Sequence, residues 1–420
     1  MATVQFESGH AAPKFDGLAD RLRGFVVNHS RAIIGIAVPA LVASFVLLVL
    51  LGRAGLDSRA GIDYQVYRWA VHTWLVGGDI MNSAPTVSIG RVLPWVYPPF
   101  ALVPLLPFAL LPFIVGLVAL YIVDLLAIGA ALYLVTRHMW PSVGARGAAA
   151  VAMGLLPFTL FLEPVYASFG LGQINIALMG LVIVDCLAFY PRWPRGLLVG
   201  VAAAIKLTPA AFLLFFVFRR DHRAAVVAAG TAVLSTLAGF GLNYQAAVDY
   251  WFGRGPAHGV SGSAFHTNQS IMGGLARLEL TPVVRNAVWL VLVLACTAVV
   301  VFAIRRVEPA LAVVANGLLA LLVSPTSWSD HWVWCAPGLL VLLGCAVRLR
   351  SPGWLVTFGV VLVAVLTASF RMLPDGPPWT PLQHLVGNPY LLIGLVLIAL
   401  LGRFARNRTG VLAMAGQARE

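Results

Sequence analysis

The chain has 420 residues, 60% of them hydrophobic and 10% charged, with a net charge of +12 and a mean hydropathy of +0.89. This composition excludes a water-soluble globular protein, and apolar runs that are continuous rather than alternating exclude a β-barrel. Nor does the positive charge mark a nucleic-acid binder, because the arginines stand in short clusters between apolar runs: Arg219, Arg220 and Arg223, Arg305 and Arg306, Arg348 and Arg350, and Arg403, Arg406 and Arg408. Such clusters give orientation rather than a ligand.

In chain order, residues 1–31 read as a cytoplasmic N-terminal segment. Phe15, Leu18, Leu22 and Phe25 recur there at helical spacing, the pattern of a short interfacial helix. The first apolar run, Ala32 to Leu51, is too long for a cleavable signal and is expected to persist as a span. A single membrane domain then occupies residues 32–405, with apolar segments near 32–51, 97–112, 113–136, 146–165, 174–190, 196–218, 224–242, 283–304, 309–325, 331–347, 354–372 and 388–402. Residues 406–420 form a cytoplasmic tail, and the larger outer loops are about 52–96 and 243–282. The expected fold is an all-α polytopic membrane bundle of about twelve membrane-embedded helices, some broken or re-entrant.

The breaks follow from charge parity. If the proline-studded run 97–112 dips in and returns, and 196–218 breaks at Lys206-Leu207-Thr208-Pro209, every basic loop falls on the cytoplasmic side. Straight spans throughout put two basic loops outside. Cys186, Cys296, Cys335 and Cys345 lie within apolar segments and read as buried thiols, with neither disulfide nor metal spacing.

Under that topology the unusual polar residues converge on the outer side, and ionisable groups at membrane depth are functional candidates. Asp63, just past the first span, can act as a general base or simply cap a helix beginning at Tyr64. Lys206, one of two lysines in the chain, suits a phosphate; the plainer reading is a cation reaching for the interface. Asp330-His331, at the mouth of a span after Ser324-Pro325-Thr326-Ser327-Trp328-Ser329, offers an acid–base pair. Gln173 and Asn175 can bind sugar hydroxyls or tie helices together. Trp328 and its fellow interfacial tryptophans can stack on a sugar or form an aromatic belt. No phosphate loop, zinc spacing or Asp-x-Asp pair is present, which argues against a soluble nucleotide donor.

Asp63 with Val66-Tyr67, Tyr97-Pro98-Pro99, Gly172-Gln173-Ile174-Asn175, Lys206-Leu207-Thr208-Pro209 and Ser324-Pro325 through Asp330-His331-Trp332 form an ordered set. Together they resemble the actinobacterial polyprenyl-phosphate-mannose-dependent alpha-1,2-mannosyltransferases, integral membrane glycosyltransferases of the C-type fold. The resemblance runs from about residue 60 to about 335. It implies a polyprenyl-phosphate-mannose donor, a mannosylated phosphatidylinositol acceptor with lipomannan as second choice, inversion at the anomeric carbon and an outward-facing site in the plasma membrane. On that reading Asp63 and His331 are the catalytic candidates, with Asp63 the first choice of base. Lys206 and Arg68 are phosphate candidates, followed by His266 and Arg254 in the long loop. Gln173, Asn175, Tyr67, Tyr97, Trp328 and Asp330 are the sugar and acceptor candidates. No metal or other cofactor is expected, and membrane lipid rather than nucleic acid is the partner. The alternatives are a polyprenyl-phosphate-dependent arabinofuranosyltransferase and, from another class, a secondary transporter, against which the absence of an internal repeat counts.

Overall fold

The computed structural model describes residues 16–51, 60–253 and 261–417, and most of these are helical, with no strand among them. In chain order the helices are α1 (Asp16–Asn28), α2 (Ser30–Leu50), α3 (Ile62–Leu75), α4 (Leu102–Leu110), α5 (Phe113–Met139), α6 (Gly144–Thr159) and α7 (Glu163–Leu171). They continue with α8 (Asn175–Leu187), α9 (Leu197–Ile205), α10 (Leu213–Phe218), α11 (His222–Leu242), α12 (Tyr244–Trp251) and α13 (Ile271–Arg277). The last are α14 (Pro282–Ile304), α15 (Pro309–Val323), α16 (Cys335–Arg348), α17 (Pro352–Thr367), α18 (Pro381–Gly387) and α19 (Pro389–Gln417). Prolines open α14, α15, α17, α18 and α19, where the missing N–H costs nothing.

By length and composition seven helical stretches can cross a bilayer: α2, α5, α11, α14, Ser329–Arg348, Pro352–Met372 and Pro389–Asn407. The pair α6–α7, bent by 72°, is either a broken eighth span or a re-entrant loop, and Pro99–Leu110, α8, Thr208–Phe218 and α15 are shorter. Together these occupy the twelve apolar stretches of the sequence, so the chain is an all-α polytopic membrane protein with broken segments.

The breaks have covalent causes. Pro209 has no N–H to give the carbonyl of Ile205, and its ring clashes there, so α9 stops and Lys206 turns to an extended backbone at φ −147°, ψ 131°. The chain resumes as a 3-10 turn over Thr208–Phe212, and Asn316 on α15 donates to the Ala211 carbonyl at 3.1 Å. Pro164 likewise denies a donor to Leu160, where α6 yields to α7.

α8 and α9 run antiparallel and define the two ends of the bundle. At one end arginines satisfy the last carbonyls of helices. Arg195 donates to Cys186 and Ala188 at 2.8 and 2.6 Å, Arg219 donates to Ile304 at 2.8 Å, and Arg348 pairs with Glu308 at 3.3 Å. Buried Asp185 organises the same end by accepting from the Gly196 and Val199 amides and the Trp193 indole. The other end holds the start of α8 and the end of α9. With 13 residues α8 rises about 20 Å, less than the roughly 30 Å hydrocarbon core. Groups at its N-terminus therefore lie below the membrane surface whenever its other end reaches the opposite interface.

Candidate active site

Two glycines bring the first polar group into place. Gly61 precedes α3 in the left-handed region (φ 61°) and Gly172 ends α7 in the same region (φ 67°). The Gly61 amide donates to the Gly170 carbonyl at 3.0 Å, and a Cβ on Gly172 would come within 3.2 Å of the Gly61 Cα. Only glycines let these two chain segments touch. The contact sets Asp63, in the first turn of α3, beside Gln173.

Asp63 is not a helix cap: Gly61 holds that position, and the Asp63 carboxylate instead accepts a short hydrogen bond from Gln173 Nε2. The amide oxygen of Gln173 accepts from the Tyr67 and Tyr97 hydroxyls at 2.8 and 3.1 Å, and those hydroxyls are 2.9 Å apart. Tyr97 in turn presents its ring to the Lys206 ammonium, 5.5 Å from the centroid.

Lys206, held at the α9 break, donates to Asn175 Oδ1 at 2.7 Å and to His331 Nε2 at 3.2 Å. The Asn175 amide donates to Asp330 Oδ2 at 2.9 Å, and that oxygen is 3.8 Å from His331 Nε2. A neutral imidazole is the form that can accept the lysine proton at Nε2. Asp330 is buried, while Asp63, Lys206 and His331 are half-buried. Two hydrogen-bonded sets, Asp63 with Gln173, Tyr67 and Tyr97 and Lys206 with Asn175, Asp330 and His331, thus meet where the Tyr97 ring faces the Lys206 ammonium. A cavity adjoins them, with Asn175, Lys206, Thr208 and His331 on its polar side and Met179, Val182, Phe212 and Trp334 on its apolar side.

Charge and burial set the state of Asp63, which lies outside the long apolar helices. Burial pushes its carboxyl up to about 6, opposed by the Gln173 hydrogen bond and the nearby Lys206 charge. Such a group is ionised at neutral pH yet is more basic than a surface aspartate.

Three candidates, Arg68, His266 and Trp328, are not brought into this site. Arg68 is five residues beyond Asp63, about 140° round the helix. Its guanidinium hydrogen-bonds the Leu111 carbonyl and packs between the Tyr64 and Phe113 rings at 6.0 and 5.9 Å. His266 pairs with Asp375 at 3.4 Å and stacks on Phe265. Trp328 lies edge-on to Phe265 and its backbone bridges to Asn268. Arg254 lies outside the described residues.

Sequence reasoning missed a second polar cluster behind the first. Glu163, fully buried at the α6–α7 bend, accepts from Ser329 Oγ, Arg371 Nε and the Tyr390 hydroxyl, each at 2.8 Å. Ser329 immediately precedes Asp330-His331, so this carboxylate fixes the turn that carries both. The available signal was a glutamate inside an apolar run. Glu163→Ala leaves one guanidinium and two hydroxyls without their acceptor. A fully buried broken pair costs about 3–5 kcal/mol; Arg371 keeps 42% of its side chain exposed, so we expect about 2–3 kcal/mol. Thermal unfolding in detergent, with Glu163→Gln as the milder comparison, measures it.

The profile of Glycosyltransferase family 87 matches residues 95–325. Among curated proteins, the chain is 35% identical over 373 residues to a polyprenol-phosphate-mannose-dependent alpha-(1-2)-phosphatidylinositol mannoside mannosyltransferase of Mycolicibacterium smegmatis, covering 83% of this chain and 85% of that one. It is 37% identical over 364 residues to the protein of the same name from Mycobacterium tuberculosis, covering 81% and 84%. A phosphatidylinositol pentamannoside mannosyltransferase of Mycolicibacterium smegmatis is 33% identical over 340 residues, covering 76% and 78%. No solved structure matches significantly. With a family profile spanning the segments that carry Tyr97, Gln173, Asn175 and Lys206, and relatives aligned over most of both lengths, this chain belongs to Glycosyltransferase family 87.

Proposed function

We propose that the protein transfers mannose from polyprenyl-phosphate mannose to a phosphatidylinositol mannoside, with inversion, at the outer face of the plasma membrane. The substrates follow the relatives' names. The observation that carries the chemistry is the meeting of the Asp63 set with the Lys206–His331 set across the Tyr97 ring, which supplies a base and a cation at one end of the bundle. The orientation is supported by the arginine-capped helix ends at the opposite end, which positive-inside logic assigns to the cytoplasm along with both termini.

In the proposed reaction Asp63 takes the proton of the acceptor hydroxyl as its oxygen attacks the anomeric carbon. The bond from that carbon to the phosphate oxygen breaks, and its electron pair leaves with the lipid phosphate beside the Lys206 ammonium. Displacement from the opposite side gives inversion in one step. We assign the base to Asp63 rather than His331 because His331 Nε2 is engaged by Lys206. Gln173, Tyr67 and Tyr97 orient the base, and Asn175 with Asp330 orients the lysine.

The test is transfer by purified protein in nanodiscs, offered polyprenyl-phosphate mannose and its arabinose counterpart with a phosphatidylinositol mannoside. Addition of one alpha-1,2-linked mannose is expected. Transfer of arabinose alone refutes the assignment.

A further inference from the structure

A second, larger cavity lies between α15, α16, α17 and α19, with an almost wholly apolar lining. It reaches from Trp332 and Tyr390 at one end to Trp354 and Leu401 at the other. Along α19, Tyr390 to Leu401 spans about 16 Å, close to half of the roughly 30 Å hydrocarbon core and therefore the depth of one leaflet. α17 packs mainly on α16 and more lightly on α19, which it meets at the far end of the space through Trp354 set edge-on to Phe404. Within a bilayer an unfilled apolar volume forfeits dispersion contacts, so hydrocarbon is its natural occupant.

The cavity ends at the candidate active site. Trp332 directly follows His331 and lies tilted against Tyr390, whose hydroxyl holds Glu163. Leu321 and Trp334 line this cavity and also the one containing Lys206 and Asn175. Two cavities thus flank the same turn: the cation stands in one, and the other contains no charged lining residue.

We propose that this apolar cavity holds an acyl chain of the lipid acceptor, while the donor phosphate belongs to the Lys206 side. The turn Ser329–Trp334 is then a partition with one lipid on each side. The inference rests on the reading of the protein as a lipid-to-lipid sugar transferase. Length decides the occupant, because one leaflet's depth suits an acyl chain whole, whereas the long chain of a polyprenyl carrier extends beyond it. With its acyl chain here, the acceptor's mannosyl headgroup emerges next to Asp330-His331, across the turn from the donor.

Filling the cavity tests this. A Cβ on Gly338 meets only Val314 Cγ1, at 3.5 Å, so Gly338→Leu grows into the space without a backbone clash. Ala364→Phe fills it from α17. The readout is kcat/KM for a diacyl phosphatidylinositol mannoside relative to its deacylated headgroup, with the donor KM measured alongside. Displacing a few methylenes is expected to lower that ratio by about tenfold or more, with the larger change in the acceptor KM. An unchanged ratio overturns the proposal, as does a rise in donor KM in its place, which assigns the cavity to the polyprenyl chain. Wild-type protein that transfers mannose to neither acceptor refutes the functional reading instead. Should the variants misfold, wild-type protein photolabelled with a phosphatidylinositol carrying a mid-chain diazirine is expected to be modified within α15, α16, α17 or α19. Labelling confined to other helices overturns the proposal.

Discussion

Asp63→Asn is expected to lower kcat/KM for mannosyl transfer by about 10^2–10^4-fold, the usual worth of a positioned general base. The substitution keeps the shape of the side chain and an oxygen able to accept from Gln173, but removes the group that takes a proton. Because Gly61 rather than Asp63 caps α3, thermal stability should stay close to wild type, which separates lost chemistry from lost fold. The pH profile gives an independent check. A carboxylate base works only when ionised, so with its carboxyl near 6 activity should rise with pH up to that point and level above it. Gln173 and Lys206 both favour the charged form, so Gln173→Leu should move the inflection to higher pH. Near-normal activity in Asp63→Asn combined with its loss in His331→Ala would transfer the role to the histidine.

Lys206→Met is expected to lower kcat by about 10^2–10^3-fold, the scale for removing one preorganised stabiliser of developing charge. The competing view, a lysine reaching out of the membrane, foresees little effect because such a side chain ends in water. Geometry favours the first. The ammonium points inward to Asn175 and His331 at 2.7 and 3.2 Å and faces the Tyr97 ring. Lys206→Arg retains the charge but exchanges a compact donor for a planar fork, so only partial recovery is expected. Single-turnover measurements with saturating donor discriminate these outcomes; a methionine variant with wild-type kcat would remove Lys206 from the mechanism.

Much of this arrangement was legible in the sequence because its causes are local. Apolar length fixes the embedded segments, and Pro209 fixes the break that exposes Lys206. Gln173, Asn175 and Asp330-His331 stand at the edges of apolar runs, Lys206 at a break within one and Asp63 in the loop past the first, where a polar group is conspicuous. What was not legible depends on phase and on contacts distant in sequence. Arg68 shares a helix with Asp63 but points elsewhere, a consequence of helical geometry that proximity in sequence hides. His266 and Trp328 are engaged by Asp375 and Phe265 across loops whose packing no short motif records. Glu163 was absorbed into an apolar run that proved to be a bent pair, and its partners are 166, 208 and 227 residues away.

The lysine set at the α9 break carries a kinetic cost for the proposed reaction. The donor is a phosphodiester with one negative charge, whereas the spent carrier is a phosphomonoester approaching two. A fixed ammonium therefore grips what it has discharged more tightly than what it received. Departure of the bare polyprenyl phosphate then competes with chemistry as the slow step, and the accumulated carrier acts as an inhibitor of its own source.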